Sequence, residues 1–169
     1  SSLNNLKIKN TNRLVFGNLN INTIYNKFEQ LKHTINKNID VLVVTETKLD
    51  SSFPSSQFFI NGFARPFRRD RDKNGGDVMI FVGDDIPSKE VRINFVPSDI
   101  EGIFIEINIR KTKWLIVGCY HPPSPNDSYL FYNLGKALDS LNSTYKKFLL
   151  VGDFNSEDHE TEIMMCIAK

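Results

Sequence analysis

Four consecutive aliphatic residues, Val41–Leu42–Val43–Val44, constrain this chain's fold more than any other feature. Successive side chains of a strand point to opposite faces, so an unbroken apolar run of strand length must be covered on both. The fold therefore needs material above and below that strand. Leu14–Val15–Phe16, leading towards Asn18–Leu19–Asn20, reads as an earlier strand, and Val78–Met79–Ile80–Phe81–Val82 follows the Gly75–Gly76 turn signal. Ile103, Ile105, Ile107 and Ile109 alternate with Phe104, Glu106 and Asn108, the period of two that marks a strand. Trp114 to Tyr120 follows across a short Lys111–Thr112 link, which predicts an antiparallel hairpin. Phe148 to Val151 is expected to be the last strand, with none after Phe154–Asn155. Helical spacing relates Ile24, Phe28, Leu31 and Ile35, with Asn22 or Thr23 as the cap. It also relates Leu130, Leu134, Ala137, Leu138 and Leu141, entered from Pro125–Asn126–Asp127–Ser128. Strands in mixed order with two helical crossovers predict an α/β layered sandwich.

The 169 residues, 40% of them apolar, suit one domain with a real core. Residues 1–12 are expected to be a flexible lead-in and 156–169 a divergent tail. Lys and Arg number 21 against 20 Asp and Glu, and this net charge of +1 argues against polybasic binding dominated by phosphate neutralisation. Any contact with nucleic acid must come from a local basic groove. The longest apolar runs, such as Phe148 to Val151, are strand-sized and too short to cross a membrane as helices. No signal peptide opens the chain, and its start at Ser1 without Met suggests a fragment. Cys119 and Cys166 form neither a metal-ligand spacing nor a disulfide framework, so a reducing, intracellular setting is expected.

Polar residues gather where the strands finish, the place where layered α/β folds collect ligands. The ends read Asn18–Leu19–Asn20, Thr45–Glu46–Thr47–Lys48, Tyr120–His121–Pro122–Pro123 and Gly152–Asp153–Phe154–Asn155. Two carboxylates with amides and a phenol suit a hard divalent cation, which takes oxygen ligands and leaves positions for water and phosphate. Glu46 is the candidate metal carboxylate, and Asp153 the group that orients or deprotonates the attacking water. Asn20 and Asn155 are candidates to donate to phosphate oxygens or to support the metal through their carbonyls. Tyr120 either hydrogen-bonds phosphate or packs on Pro122, and His121 is read as structural or substrate-binding. Arg65, Arg68, Arg69, Arg71 and Lys73 are expected in a loop, either gripping phosphates or, interspersed with Asp70 and Asp72, as a solvated run.

Taken in order, Leu19–Asn20–Ile21–Asn22, Val43 to Asp50, Asn74–Gly75–Gly76, Tyr120–His121–Pro122–Pro123 and Gly152–Asp153–Phe154–Asn155 resemble the endonuclease/exonuclease/phosphatase superfamily. The nearest look is to the apurinic-endonuclease-like domain of non-LTR (LINE-type) retrotransposons, over roughly Leu14 to Asn155. The resemblance implies a four-layer, deoxyribonuclease-I-like sandwich and Mg²⁺- or Mn²⁺-dependent nicking of DNA. It places Asn20 and Glu46 at the metal site, Tyr120 on phosphate, and Asp153 with Asn155 on water and phosphate. It further implies a reverse transcriptase in the same polyprotein and, if functional, a nuclear location. Family members also carry further strands and a final Ser-Asp-His after the Gly-Asp-Phe-Asn motif. No Ser-Asp-His occurs in this chain, so the domain is expected to be incomplete at its C-terminal side. His159, close to Asp153 in sequence, reads as a solvated loop residue. A non-catalytic nucleic-acid-binding or structural remnant and a superfamily phosphatase are the alternative functions.

Overall fold

The run at Val41 forms a central strand. The computed structural model describes residues 13–35, 38–70, 77–93, 101–122, 127–145, 147–153 and 165–168. Strand β1 (Leu14–Asn20) leads through helix α1 (Phe28–Ile35) to β2 (Val41–Thr45), which pairs parallel to it. β3 (Phe67–Arg69) and β4 (Val78–Val82) extend the same sheet antiparallel, and β9 (Met165–Ala168) closes its other side against β1. The order is β3-β4-β2-β1-β9. The second sheet, in order β5-β6-β7-β8, contains β5 (Ser88–Glu90), β6 (Glu101–Ile109), β7 (Thr112–Tyr120) and β8 (Lys147–Asp153). Helix α2 (Asp127–Leu141) connects β7 to its parallel neighbour β8.

Side-chain parity turns these sheets into four layers. Val41 and Val43 face inward with Phe16 and Ile80, packing on Ile103, Ile105, Ile107 and Ile116 of the second sheet. Leu42 and Val44 face the other way, against Phe28, Leu31 and Ile35 of α1. On the far side, Phe104, Leu115 and Val117 pack beneath Leu134 of α2. The layers run α1, sheet, sheet, α2, so each parallel pair carries its own crossover helix on its outer face. Between the sheets, a Cβ added at Gly118 would lie 2.8 Å from Ile80 Cδ1 and 3.1 Å from Val43 Cγ1, so a residue without a side chain lets the layers approach.

Several expectations need correction. The hairpin turn is Arg110–Lys111, since Thr112 already pairs with Ile109, and both turn residues have positive φ (48° and 66°). Neither Asn22 nor Thr23 caps α1, which begins at Phe28 after a turn over residues 25–27. Strand β9 lies beyond the one expected to be last. Arg68 and Arg69 sit in an edge strand, not a loop. Short edge strands of three residues, β3 and β5, carry too little periodicity to be read from sequence. The lead-in expected over 1–12, along with Gly75, Gly76 and His159, lies outside the described residues. Among the described residues, no helix is long and apolar enough to cross a membrane.

Candidate active site

Both parallel pairs end on the same edge of the sandwich. β1 and β2 finish at Asn20 and Thr45, and β7 and β8 finish at Tyr120 and Asp153, in matching register. Crevices outside the carboxyl ends of strands are where ligands bind in open α/β sheets. The inward face of β1 changes from apolar to polar along its length, from Phe16 through Asn18 to Asn20. Asn18 donates from Nδ2 to the Gly152 carbonyl at 3.2 Å. Asn20 reaches further: its Nδ2 donates to Glu46 Oε1 at 3.0 Å and to Asp153 Oδ2 at 2.7 Å. One amide group thus ties together carboxylates from the two sheets.

The local backbone explains why Glu46 and Asp153 stand there. Glu46 and Lys48 both adopt left-handed φ (54° and 52°), as do Asn22 and Thr23 (42° and 81°) in the facing turn. Such conformations are costly for residues with side chains, and they cluster at functional sites held by their surroundings. Here the surroundings are backbone bonds: Ile21 N–H to Thr45 O, Thr23 N–H to Glu46 O and Ile24 N–H to Thr47 O, at 3.1, 2.8 and 3.1 Å. Asp77, buried, accepts the Leu49 N–H at 2.9 Å and holds the segment after Glu46 from the β4 side. On β8, the residue before Asp153 must be glycine, because a Cβ at Gly152 would lie 1.8 Å from the Cys119 carbonyl oxygen. The Asp153 carbonyl in turn accepts the His121 N–H at 2.9 Å.

The other predicted residues fall out differently. The Tyr120 ring belongs to the apolar layer between the sheets and is 9% exposed. His121 is equally buried and fastened through its backbone beside Asp153. Arg68 does not face solvent as a phosphate grip would. Its guanidinium bonds Asp70 through Nε at 2.8 Å, the Phe53 carbonyl through Nη1 at 2.6 Å and the Asp50 carbonyl through Nη2 at 3.1 Å, and lies over the Phe58 ring. It ties the segment 50–53 to β3. Arg69 is exposed and lines an open cleft of about 430 Å³ with Arg92 and Phe104. Asn155 and Arg71 lie outside the described residues. Sequence reasoning missed Asp77 and the pairing of Asn18 with Gly152, because both depend on partners distant in the chain.

The donor set fits a divalent cation. Glu46 and Asp153 each lie within hydrogen-bond distance of the one Asn20 amide nitrogen, and Mg²⁺ needs only one or two carboxylates, completing its shell with water and phosphate. Asn18 Oδ1, on the strand that carries Asn20, and Thr45 Oγ1 and Thr47 Oγ1, flanking Glu46 in sequence, are buried with no hydrogen-bond partner among the described residues. Asn20 itself turns its nitrogen, not its oxygen, toward the carboxylates, while its Oδ1 accepts the Asn22 N–H at 3.1 Å. That makes Asn20 a clamp between the two carboxylates. Among the described residues, no group of three or more His, Cys, Asp or Glu is placed to hold a metal ion.

Residues 16–163 match a family described as the Endonuclease/Exonuclease/phosphatase family. In fold, the chain is similar to the 3′-5′ exonuclease NExo from Neisseria meningitidis, with a TM-score of 0.64 and 20% identity over 84% of this chain and 58% of that one. It is similar to the AP endonuclease LMAP from Leishmania major, with a TM-score of 0.65 and 13% identity over 85% and 55%. Truncated TDP2 from Caenorhabditis elegans matches with a TM-score of 0.62 and 11% identity over 86% and 64%. In each case the chain spans less than two thirds of the length of the structure it matches. No curated protein matches the chain in sequence.

Proposed function

The chain belongs to the endonuclease/exonuclease/phosphatase family, and from that premise we propose that it hydrolyses phosphodiester bonds in DNA with the help of Mg²⁺ or Mn²⁺. The observation that carries the proposal is the Asn20 amide bridging Glu46 and Asp153 across the two sheets. Glu46 is the carboxylate that would hold the cation, in a family that generally uses divalent metals. When bound, that cation supplies charge stabilisation at the phosphate and makes water more acidic. Asp153 accepts the proton of the attacking water, and its hydrogen bond from Asn20 sets the direction in which the free oxygen lone pairs point. Tyr120 and His121 stand at the end of β7 next to Asp153, and Asn155, two residues beyond Asp153, is assigned to the phosphate. The runs Glu46 to Pro54 and Asp99 to Ile107 support an origin in a non-LTR retrotransposon, where a DNA nick primes reverse transcription.

A plasmid-nicking assay in Mg²⁺ tests the reading. Asp153→Asn is expected to lower the rate by about 10² to 10⁴, the usual contribution of a positioned acid or base, and Glu46→Gln, which removes the metal carboxylate, to lower it at least as far. Equal nicking by the parent and both variants would sink the site assignment. DNA binding without nicking points to a non-catalytic remnant, and turnover of small phosphate esters with DNA untouched points to a phosphatase.

A further inference from the structure

The turn after β1 carries an aromatic ring that the site described above leaves unused. Tyr25 is 61% exposed, and its ring rests against that of half-buried Phe53, with centroids 5.4 Å apart and planes tilted by 59°. A single exposed aromatic needs no explanation by itself. This one differs in where it stands and how firmly it is held. Its neighbour Ile24 is fully buried, and the N–H groups of Thr23 and Ile24 bond the backbone carbonyls of Glu46 and Thr47, so Tyr25 projects from a turn stitched to the backbone that carries the candidate metal carboxylate. Lys27 Nζ donates to the carbonyls of Ile21 at 2.5 Å and Asn22 at 2.9 Å, and Lys48 Nζ donates to Asn22 Oδ1 at 2.5 Å. These exposed ammonium groups brace the turn and put positive charge on the segment that carries the ring. A rigid aromatic face next to cations is the combination that single-stranded nucleic acid uses, with the base on the ring and the phosphate near the charge.

Resting on the DNA-cleaving reading above, we infer that Tyr25, supported by Phe53, is a stacking shelf for an unpaired nucleobase next to the scissile phosphate. Base faces inside an intact duplex are covered by their neighbours. Only a bulged, frayed or single-stranded nucleotide has a face open to Tyr25, so the shelf selects DNA that is unpaired beside the cut.

The test compares nicking of two oligonucleotide duplexes in Mg²⁺, one fully paired and one with a single bulged 2-aminopurine beside the cut. The chain is expected to prefer the bulged substrate by about 10-fold and to quench the 2-aminopurine fluorescence, as stacking on a ring does. Tyr25→Ala should bring the preference close to parity and abolish the quench, and Tyr25→Trp should restore both. Thermal melts of the variants serve as the check on folding, and little change is expected for so exposed a side chain. A preference and quench retained in Tyr25→Ala would overturn the shelf. So would equal cutting of the two duplexes by the parent chain, and if Glu46→Gln still abolished that cutting, the nuclease reading would stand alone. Undiminished cutting by Glu46→Gln would instead remove the reading on which the shelf rests.

Discussion

Asn18, Asn20 and Asn22 share a chemistry and a strand parity, yet the fold gives them three fates. Asn18 is buried on a carbonyl, Asn20 clamps two carboxylates, and Asn22 leaves the strand with left-handed φ and accepts a lysine. Their order along β1 is what separates them. Glu106 shows the same dependence on context. This buried carboxylate lies on the face of β6 away from the site and accepts the Tyr145 hydroxyl at 2.7 Å. Burial pushes the Glu106 carboxyl up, but the Tyr145 hydrogen bond, Lys113 and Lys89 together outweigh it and hold the group below its ordinary 4.5. Burial and the same hydrogen bond push the Tyr145 phenol from 10.0 up to about 12. A depressed carboxyl contributes stability above its unfolded value and loses it as pH falls. A raised phenol contributes below its unfolded value and loses it as pH rises. The pair should therefore stabilise most between pH 4.5 and 10.0. Denaturant unfolding of Tyr145→Phe should show a deficit of about 2 kcal/mol at pH 7 that narrows towards pH 3 and towards pH 11, at roughly the values for a hydrogen bond to a charged group. A deficit independent of pH would refute the linkage. Cys119, whose thiol burial pushes up to about 12, stays protonated at neutral pH and behaves as a small apolar residue.

At the scale of elements, the β6–β7 hairpin was legible and its turn was not. The isoleucine alternation defines the strands, whereas Arg110–Lys111 contains none of the glycine or asparagine that two left-handed turn residues favour. Tertiary pairing imposes the turn on residues that resist it. Arg110→Asn with Lys111→Gly should relieve about 1 kcal/mol or more, which a thermal melt would register as a rise of roughly 2–4 °C. Activity should not change, because the turn lies at the opposite end of β7 from Tyr120. A lower melting temperature would show that these two side chains stabilise the fold by other contacts. Helix α1 was legible through Phe28, Leu31 and Ile35, while its start was not: residues 21–24 are bonded to the end of β2, so the helix begins only after that tie.

Across the whole molecule, the site exists only because two sheets meet. Asn20 and Glu46 belong to one and Asp153 to the other, so inter-sheet spacing sets the length of the Asn20–Asp153 bond. Gly118 sits in that interface against Val43 and Ile80. Gly118→Ala should cost about 1–3 kcal/mol through overpacking. It should also lower the nicking rate at temperatures well below the melt, since small misplacements of catalytic groups are expensive. Stability lost with the rate unchanged would mean that the strand ends adjust independently of the core between them.

The sequence by itself determined the layers. Apolar periodicity is a local property: two faces of Val41–Val44 demand two neighbours, alternating isoleucines demand one, and the helical stripes supply the outer covers. It also determined which chemical groups stand at strand ends, because each such motif is contiguous in the chain. Only the tertiary structure decided which of them meet. Asn20 reaches Asp153 across 133 positions and Glu46 across 26, whereas Arg68, an apparent phosphate ligand, is consumed by loop carbonyls and Asp70. Hydrogen-bond partnership is fixed within a few ångströms by packing and register, and no residue's identity or local spacing encodes the position of a partner so far along the chain.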